Sequence, residues 1–257
     1  MNESQLDRYS RQLLLPTFDI EGQLALSSAT ILVVGMGGLG NIAATYLATA
    51  GVGELILADG DHLELSNLPR QVLYNESYLG HNKADAAKAE LLAKNKDCNI
   101  HVITEHLVAD TFAQAVAKAS VVLDCTDNYQ ARQSIHRACF AANTALVSAA
   151  AIRWEGQLIS FRYEQNDTPC YECLYPSMSD SQLSCSESGV IGPVVGSLGV
   201  LQALDAIKIA SGCGRVEHGL LKLFDGLEGR WREMRLTQDP ECAFCGTRTA
   251  QTAIRRG

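Results

Sequence analysis

Two short apolar runs, joined by a glycine-rich loop and a helical segment, most constrain how this chain can fold. The first run, Thr30–Val34, leads directly into Gly35-Met36-Gly37-Gly38-Leu39-Gly40. The second run, Glu54–Ala58, is followed at once by the carboxylate of Asp59. Glycines permit a tight turn and a close approach of backbone to ligand, and a helix N-terminus favours negative charge. The pattern predicts a strand–helix–strand unit that binds a nucleotide, with Asp59 suited to a ribose hydroxyl.

Predicted strands and helices alternate over the first 150 residues, and this order is typical of a Rossmann-like, doubly wound, mostly parallel α/β sheet. Further helices are predicted at 83–94, 109–119 and 129–142, and further strands at 100–104, 121–125 and 145–148. An antiparallel extension is predicted after residue 150, with strands at 156–163, 220–224 and 231–236, a loop at 176–188 and a helix at 190–210. We predict a single domain over 1–257, with a helical segment at 1–28, a nucleotide-binding part at 29–150 and an antiparallel part at 151–247.

Charge and hydropathy exclude several classes of protein. The net charge is −8, and no cluster of Lys and Arg is present, which argues against a nucleic-acid coat. No uninterrupted apolar stretch reaches about 18 residues, the length that a membrane span requires. Residues 1–5 carry neither the basic cluster nor the apolar run of a signal peptide. We therefore expect a cytoplasmic protein that binds neither nucleic acid nor membrane.

Four of the nine cysteines form two closely spaced pairs, Cys170-Tyr171-Glu172-Cys173 and Cys242-Ala243-Phe244-Cys245. Two such pairs can hold Zn²⁺ tetrahedrally with four thiolates, and a closed site of this kind is structural. Two redox pairs or four unliganded thiols are the alternatives. An odd number of cysteines argues against a disulfide framework.

Polar motifs after Asp59 narrow the nucleotide chemistry. Arg70 and Lys83 are cations beside a polar loop, Asn67 can donate to a phosphate oxygen, and Asp127 follows a buried strand, where a carboxylate can hold Mg²⁺. Each residue alone also has an ordinary explanation. Arg70 and Lys83 could be solvated charges, and Asp127 could cap the helix that follows it.

Five motifs in one order give the chain a family resemblance. They are Arg8-Tyr9-Ser10-Arg11-Gln12, the glycine loop, the run from Asp61 to Gln71, Lys83, and Asp124-Cys125-Thr126-Asp127-Asn128. Together they resemble the MoeB/ThiF/HesA family of ATP-dependent adenylyltransferases, from about Tyr9 to Cys245. Chance would rarely supply five motifs in this order.

The resemblance implies a role for each matching residue. Nucleotide-binding residues would be Gly35, Gly37, Gly38, Gly40, Asp59, Ser66, Asn67, Arg70, Lys83, Asp127 and Asn128. Within this set Asp59 would bind the ribose, Asn67, Arg70 and Lys83 the phosphates, and Asp127 Mg²⁺. Arg11 would reach the ATP site of a neighbouring subunit, which implies a homodimer. The four paired cysteines Cys170, Cys173, Cys242 and Cys245 would hold structural zinc.

The implied reaction is adenylation of the C-terminal Gly-Gly carboxylate of a small β-grasp sulfur-carrier protein, with Arg11, Arg70, Lys83 and Asp127 as catalytic residues. Cys185 resembles a loop cysteine that links covalently to the carrier in some members, and an ordinary loop cysteine is the alternative. We favour a carrier of molybdopterin cofactor biosynthesis over one of thiamine biosynthesis, and expect a separate sulfur-donor protein. An NAD(P)-dependent dehydrogenase and a non-catalytic, zinc-stapled binding protein are the more distant alternatives.

Overall fold

The computed structural model describes residues 1–105, 109–163, 168–176 and 189–246. Its helices are α1 (Glu3–Arg8), α2 (Ser10–Leu13), α3 (Asp19–Ser28), α4 (Gly38–Ala50), α5 (Lys83–Lys94), α6 (Ala109–Lys118), α7 (Tyr129–Ala142), α8 (Tyr171–Leu174) and α9 (Gly192–Ser211). Its strands are β1 (Thr30–Val34), β2 (Glu54–Ala58), β3 (Asn99–Ile103), β4 (Val121–Asp124), β5 (Ala145–Ile152), β6 (Glu155–Phe161), β7 (Leu220–Asp225) and β8 (Arg230–Arg235). Two 3₁₀ turns, Leu65–Asn67 and Glu76–Tyr78, interrupt the segment between β2 and α5.

The strands form one sheet in the order β3-β2-β1-β4-β5-β6-β7-β8. Strands β1 to β5 pair in parallel, whereas β6, β7 and β8 join in antiparallel fashion. In the register Val34 at the end of β1 lies between Ala58 of β2 and Asp124 of β4. Strand order reverses at β1, so the carboxyl ends of these three strands border a crevice of the kind that binds ligands in such sheets. The predicted Rossmann-like fold with an antiparallel extension is confirmed.

Both faces of the central strands are covered. Ile31 and Val33 of β1 belong to a buried cluster shared with α4, α5 and α9, whereas Leu32 and Val34 belong to a second cluster shared with α6, α7 and the cysteine pairs. A strand buried on both faces is apolar throughout rather than alternating. This burial explains why β1 was recognisable as a continuous apolar run.

Helix α9 is the one helix in the described ranges that is long and apolar enough to cross a membrane. It packs against α4 on one side and against β5 and β6 on the other. Gln202 on this helix is fully buried, and its Nε2 donates to the carbonyl of Asp124 at 2.8 Å and to that of Val147 at 3.1 Å. These contacts account for the apolar composition of α9 as that of a core helix.

The structure differs from the predicted elements mainly after residue 145. Strand β5 continues to Ile152 and turns into β6 at Arg153 and Trp154, with Arg153 at a φ of 54°. The predicted helix at 190–210 begins at Gly192, because Val190 bridges to Arg153 and Pro193 occupies the first turn. The short helix α8 was not predicted. The predicted loop at 176–188 lies, apart from its first residue, outside the described residues.

Candidate functional site

The glycine loop turns the chain sharply between β1 and α4. Gly35 adopts a φ of 90°, and its N–H donates to the Ala58 carbonyl at 2.8 Å. A Cβ at Gly40 would overlap the Gly35 carbonyl oxygen, so this turn of α4 requires glycine. No side chain caps the N-terminus of α4, and Gly37 and Gly38 line the adjoining cavity. The first N–H groups of α4 therefore offer a favourable place for a phosphate.

Asp59 lies at the end of β2 and holds two backbone segments together. Its Oδ2 accepts a hydrogen bond from the Met36 N–H at 2.6 Å, and its Oδ1 accepts one from the Asp61 N–H at 2.8 Å. Burial raises the pKa of Asp59, and these hydrogen bonds offset only part of that rise. The carboxylate also lines the cavity beside the glycine loop. Asp59 therefore both fixes the loop and offers acceptor oxygens to a ligand.

Lys83 is a buried cation rather than a solvated one. Its Nζ lies 3.0 Å from Oδ2 of Asp61, and its side chain is only 9% exposed, whereas that of Asp61 is 65% exposed. Asn82 begins α5 by accepting hydrogen bonds from the N–H groups of Ala84 and Asp85. This capped helix start holds Lys83 at the cavity wall.

The 3₁₀ turn after β2 positions the other polar residues of the motif. Asn67 is buried, and its Oδ1 accepts a hydrogen bond from the Glu64 N–H at 3.1 Å. Arg70 is half-buried, and its guanidinium donates to the Ser66 carbonyl at 3.0 Å. These bonds fix the loop that places Ser66, Asn67 and Arg70 on the cavity wall.

The end of β4 and the segment that follows it carry two carboxylates, of which Asp124 is buried and Asp127 is exposed. Asp124 is 1% exposed and accepts hydrogen bonds from the hydroxyls of Thr126 and Ser148, both at 2.7 Å. Asn128 caps α7 by accepting from the Ala131 N–H at 2.9 Å. The cap is therefore Asn128 and not Asp127. The exposed Asp127 carboxylate has no hydrogen-bond or ion-pair partner within the part of the chain that the structure describes.

These segments enclose a cavity of about 650 Å³ at the carboxyl edge of β1, β2 and β4. Every predicted nucleotide-binding residue except Gly40 lines it, namely Gly35, Gly37, Gly38, Asp59, Ser66, Asn67, Arg70, Lys83, Asp127 and Asn128. Among its charged lining residues are three cations, Arg70, Lys83 and Arg132, and five carboxylates, Asp59, Asp61, Glu64, Glu105 and Asp127. The protein alone therefore does not neutralise a polyanion bound in this cavity.

A smaller groove of about 190 Å³ adjoins the cavity and shares Asp127, Arg132 and Ala151 with it. It runs over β5 and β6, where Ala150, Gly156 and Gln157 line it. Tyr171, Tyr175 and Leu223 form the rest of its wall. An extended chain segment without bulky side chains that binds in this groove would therefore reach the part of the cavity that Asp127 lines.

Arg132 is a functional candidate that sequence reasoning missed. It lies in the first turns of α7, is 7% exposed, and donates to the carbonyls of Thr126 and Ala149, the latter at 3.1 Å. It lines both the cavity and the groove. A cation near a helix N-terminus is unfavourable to the helix dipole, and this misplacement is the sequence signal that could have identified it.

Of the predicted nucleotide-binding and catalytic residues that the structure describes, Arg11 and Gly40 do not line the cavity. Arg11 is exposed on α2 and does not line the cavity of its own chain. Cys185 lies outside the described residues. Gly40 contributes indirectly, by allowing α4 to pass the glycine loop.

The four paired cysteines converge although the two pairs are far apart in sequence. Their sulfur atoms all lie within 4.8 Å of one another. The Sγ atoms of Cys170 and Cys173 are 3.8 Å apart, those of Cys170 and Cys242 are 3.7 Å apart, and those of Cys173 and Cys245 are 3.4 Å apart. Four thiolates at about 2.3 Å from a tetrahedral Zn²⁺ would be about 3.8 Å apart. The donor set and its spacing therefore fit a closed zinc site.

The pKa values of the clustered thiols shift in different directions: those of Cys170 and Cys245 are raised, and that of Cys242 is lowered. Burial raises the pKa of Cys245 to about 12, and burial together with the neighbouring thiols raises that of Cys170. Without a cation these thiols would stay protonated, and they are then only weak hydrogen-bond partners. A metal ion reverses this preference because it binds thiolates directly.

Comparison with known proteins supports an adenylyltransferase. The family model described as "ThiF family" matches residues 9–244. The chain is 43% identical to the sulfur carrier protein ThiS adenylyltransferase of Escherichia coli, over 96% of this chain and 97% of that protein. It is 41% identical to the molybdopterin-synthase adenylyltransferase of Salmonella typhimurium, over 96% of this chain and 98% of that protein.

Solved structures agree with this comparison. A crystal structure of E. coli MccB with ATP aligns with a TM-score of 0.82 at 27% identity, over 95% of this chain and 75% of that one. A nucleotidyltransferase is therefore supported over a dehydrogenase. With a family model that matches most of its length and relatives above 40% identity from end to end, the chain belongs to the ThiF family and is a nucleotidyltransferase.

Proposed function

We propose that this enzyme uses MgATP to adenylate the C-terminal Gly-Gly carboxylate of a small β-grasp sulfur-carrier protein. The observation that carries the proposal is the junction of the nucleotide-sized cavity and the smaller groove at Asp127 and Arg132. The groove is lined by Ala150, Ala151 and Gly156, which suits a tail without side chains. Such a tail would present its carboxylate beside the α-phosphate of bound ATP.

ATP would lie in the larger cavity with its ribose at Asp59 and its phosphates along the N-terminus of α4. Ser66, Asn67, Arg70 and Lys83 would bind the phosphate oxygens. ATP carries about four negative charges, and the cavity already contains more carboxylates than cations. Mg²⁺ would fit this excess of negative charge, with Asp127 and Asn128 as the residues nearest its place, and would supply neutralisation of the phosphates.

The reaction is a displacement at the α-phosphorus. A carboxylate oxygen of the tail attacks the phosphorus, a new P–O bond forms, and the bond to the β-phosphate oxygen breaks. Pyrophosphate leaves with that electron pair, and the product is an acyl-adenylate. No proton transfer is required because the tail carboxylate is already ionised at pH 7. The residues of this chain therefore act by alignment and by charge neutralisation.

The proposal includes the oligomeric state and the location of the enzyme, which would be a homodimer in the cytoplasm. Arg11 would neutralise charge in the cavity of the partner subunit, since it does not reach the cavity of its own chain. The N-terminal helices expose several large apolar side chains, which supports an interface there: Leu14 is 71% exposed, Ile20 54% and Leu24 48%. Zn²⁺ would occupy the four-cysteine site, and Cys185 would be the candidate for a covalent link to the carrier.

The carrier would belong to molybdopterin cofactor biosynthesis, with the carrier of thiamine biosynthesis as the alternative. Relatives of both kinds match at nearly the same identity, 43% and 41%, so the identity values do not rank them. A separate sulfur-donor protein would then convert the adenylate to a thiocarboxylate.

The test is ATP–pyrophosphate exchange with purified candidate carriers. We expect exchange only in the presence of a carrier that ends in Gly-Gly, and the carrier with the higher kcat/KM identifies the pathway. The matched control is the same carrier with its last glycine removed. Exchange that is absent with every such carrier, although ATP binds, would contradict the proposed acceptor. A metal analysis that finds far less than one zinc ion per chain would contradict the zinc assignment.

A further inference from the structure

We propose that the four-cysteine site shapes the acceptor groove, so that occupancy of this site controls binding of the acceptor tail but is not required for nucleotide binding. The inference rests on the proposed function, because it assigns the smaller groove to the acceptor. It gives the cysteine cluster a part in the reaction beyond holding distant segments of the chain together.

Part of the wall of the groove comes from the segment that carries the first cysteine pair. Helix α8 starts directly after Cys170 and contains Cys173. Tyr171, which is 2% exposed, and Tyr175 both line the groove. The Tyr175 hydroxyl donates to Oε1 of Gln157 on β6 at 2.7 Å, and both residues line the groove. The width of the groove therefore depends on where α8 lies.

The position of α8 depends in turn on the cysteine cluster. A helix of four residues is too short to be stable by itself. Its cysteines meet the second pair 72 residues further along the chain. Arg137 of α7 links both pairs, because its Nε donates to Glu172 at 2.9 Å and its guanidinium lies 5.6 Å from the centre of the Phe244 ring. A metal ion would join the two pairs far more strongly than thiol contacts do.

Arg132 connects this wall to the reacting end of the cavity. Arg132 lines the groove together with Tyr171, and it also binds the backbone of β5 by donating to the Ala149 carbonyl. A displaced α8 would therefore disturb both the groove and the cation at its inner end. This disturbance would affect the step in which the tail carboxylate reaches the nucleotide.

Most of the residues around the nucleotide lie away from this wall. They come mainly from the glycine loop, from the turn after β2 and from the start of α5. The cavity shares only Asp127, Arg132 and Ala151 with the groove, and none of the described residues that line the cavity belongs to α8 or to either cysteine pair. Loss of the metal should therefore leave ATP affinity intact while it weakens use of the acceptor. This asymmetry distinguishes the proposal from a general structural role, in which both functions would decline together.

The first experiment compares the full chain, as purified with zinc, with protein depleted by a chelator and then transferred to chelator-free, magnesium-containing buffer. Circular dichroism verifies that the depleted protein remains folded. We expect the calorimetric Kd for ATP to change less than twofold and the KM for the carrier in pyrophosphate exchange to rise at least tenfold. An ATP affinity that falls in parallel with carrier use, or a carrier KM that stays constant, would overturn the proposal.

Substitutions in the zinc-loaded protein keep the proposal testable if depletion unfolds the chain. Tyr175→Phe removes one hydrogen bond and should raise the carrier KM about 2- to 10-fold, and Tyr175→Ala should raise it more, with unchanged ATP affinity in both. Tyr163→Phe is the matched control. The Tyr163 hydroxyl contacts His136 Nδ1 at 2.7 Å beside the same cluster, but Tyr163 lines neither cavity nor groove. A carrier KM that responds equally to Tyr163→Phe and Tyr175→Phe would refute a specific role of the wall.

Amide hydrogen exchange separates this proposal from the proposed function. Metal depletion should increase exchange in residues 168–176 and 150–157, while residues 35–41 of the glycine loop keep their protection. This measurement requires no carrier, so it remains decisive even if no carrier supports pyrophosphate exchange. Unchanged exchange in residues 168–176 would overturn the inference, whatever the acceptor is.

Discussion

Replacement of Lys83 by methionine tests whether a buried cation at the cavity wall serves ATP or serves the fold. Methionine fills a similar volume with a flexible apolar side chain and removes only the charge and the donors. The Asp61 carboxylate that loses its partner is 65% exposed and stays hydrated. A pair with one exposed member contributes at most about 1 kcal/mol to stability. The midpoint of thermal unfolding should therefore fall by no more than about 4 °C.

The effect on catalysis should be much larger than the effect on stability. A hydrogen bond to a charged group contributes about 1.5 to 3 kcal/mol when its partner is otherwise desolvated. At about 1.4 kcal/mol for each factor of ten, Lys83→Met should lower kcat/KM for ATP about 10- to 150-fold. The direct assay is carrier-dependent pyrophosphate exchange at several ATP concentrations, together with calorimetric ATP binding.

Lys94→Met is the matched control for Lys83→Met. Lys94 is exposed in the last turn of the same helix, α5, and it does not line the cavity. Its replacement should leave exchange within twofold of wild type. Wild-type exchange in Lys83→Met would refute the role of this cation. A loss of exchange that accompanies a fall of more than about 10 °C in the unfolding midpoint would show that Lys83 serves the fold instead.

Three further perturbations test the glycine loop, the subunit arrangement and a buried histidine. Gly40→Ala should abolish ATP binding because the added Cβ overlaps a loop carbonyl, whereas Gly196→Ala on α9, with nothing within 4 Å, should be neutral or stabilise by up to about 1 kcal/mol in urea unfolding. If Arg11 acts in the partner's cavity, mixing impaired Arg11→Ala with impaired Lys83→Met subunits should raise exchange to about a quarter of the wild-type rate, and no recovery after verified subunit mixing would contradict action across the dimer. Burial lowers the pKa of His136 to about 3, so only the unfolded chain gains this proton below about pH 6.5. The free energy of unfolding should then fall by about 1.4 kcal/mol more per pH unit in wild type than in His136→Gln between pH 6 and pH 4, and equal slopes would refute the assignment.

The nucleotide-binding half could be predicted from the sequence because the patterns that identify it lie within a few neighbouring residues. An apolar run, a glycine that must adopt a positive φ, and a helix that begins directly after it occupy adjacent positions in the chain. The N-caps at Asn82 and Asn128 are also local signals. The sequence predicted Lys83 and Asp127 as ligand-binding residues beside these features. It left open whether Lys83 was instead a solvated charge and whether Asp127 was instead a helix cap. Only burial of Lys83 and the cap formed by Asn128 separated those alternatives.

The antiparallel half was harder to predict from the sequence because its elements depend on contacts between distant segments. Helix α8 is too short to produce a periodic pattern, and it is placed by cysteines from the other end of the domain. The β5–β6 turn requires Arg153 at a positive φ, which is unusual for arginine and gives no turn signal in sequence. Arg132 was not predicted as a site residue because an arginine on a helix is most often solvated.

The sequence alone was sufficient to predict a parallel nucleotide-binding sheet, the set of polar residues at its edge and two cysteine pairs able to bind one metal ion. Those properties follow from residue type and spacing over a few positions, where backbone sterics and hydrophobic periodicity operate. The folded structure alone shows that the groove meets the cavity at Asp127 and Arg132, and that Tyr171 and Tyr175, beside the first cysteine pair, form part of the groove wall. These relations arise because packing brings together segments that are remote in sequence, and no local pattern records which remote partner a side chain will meet.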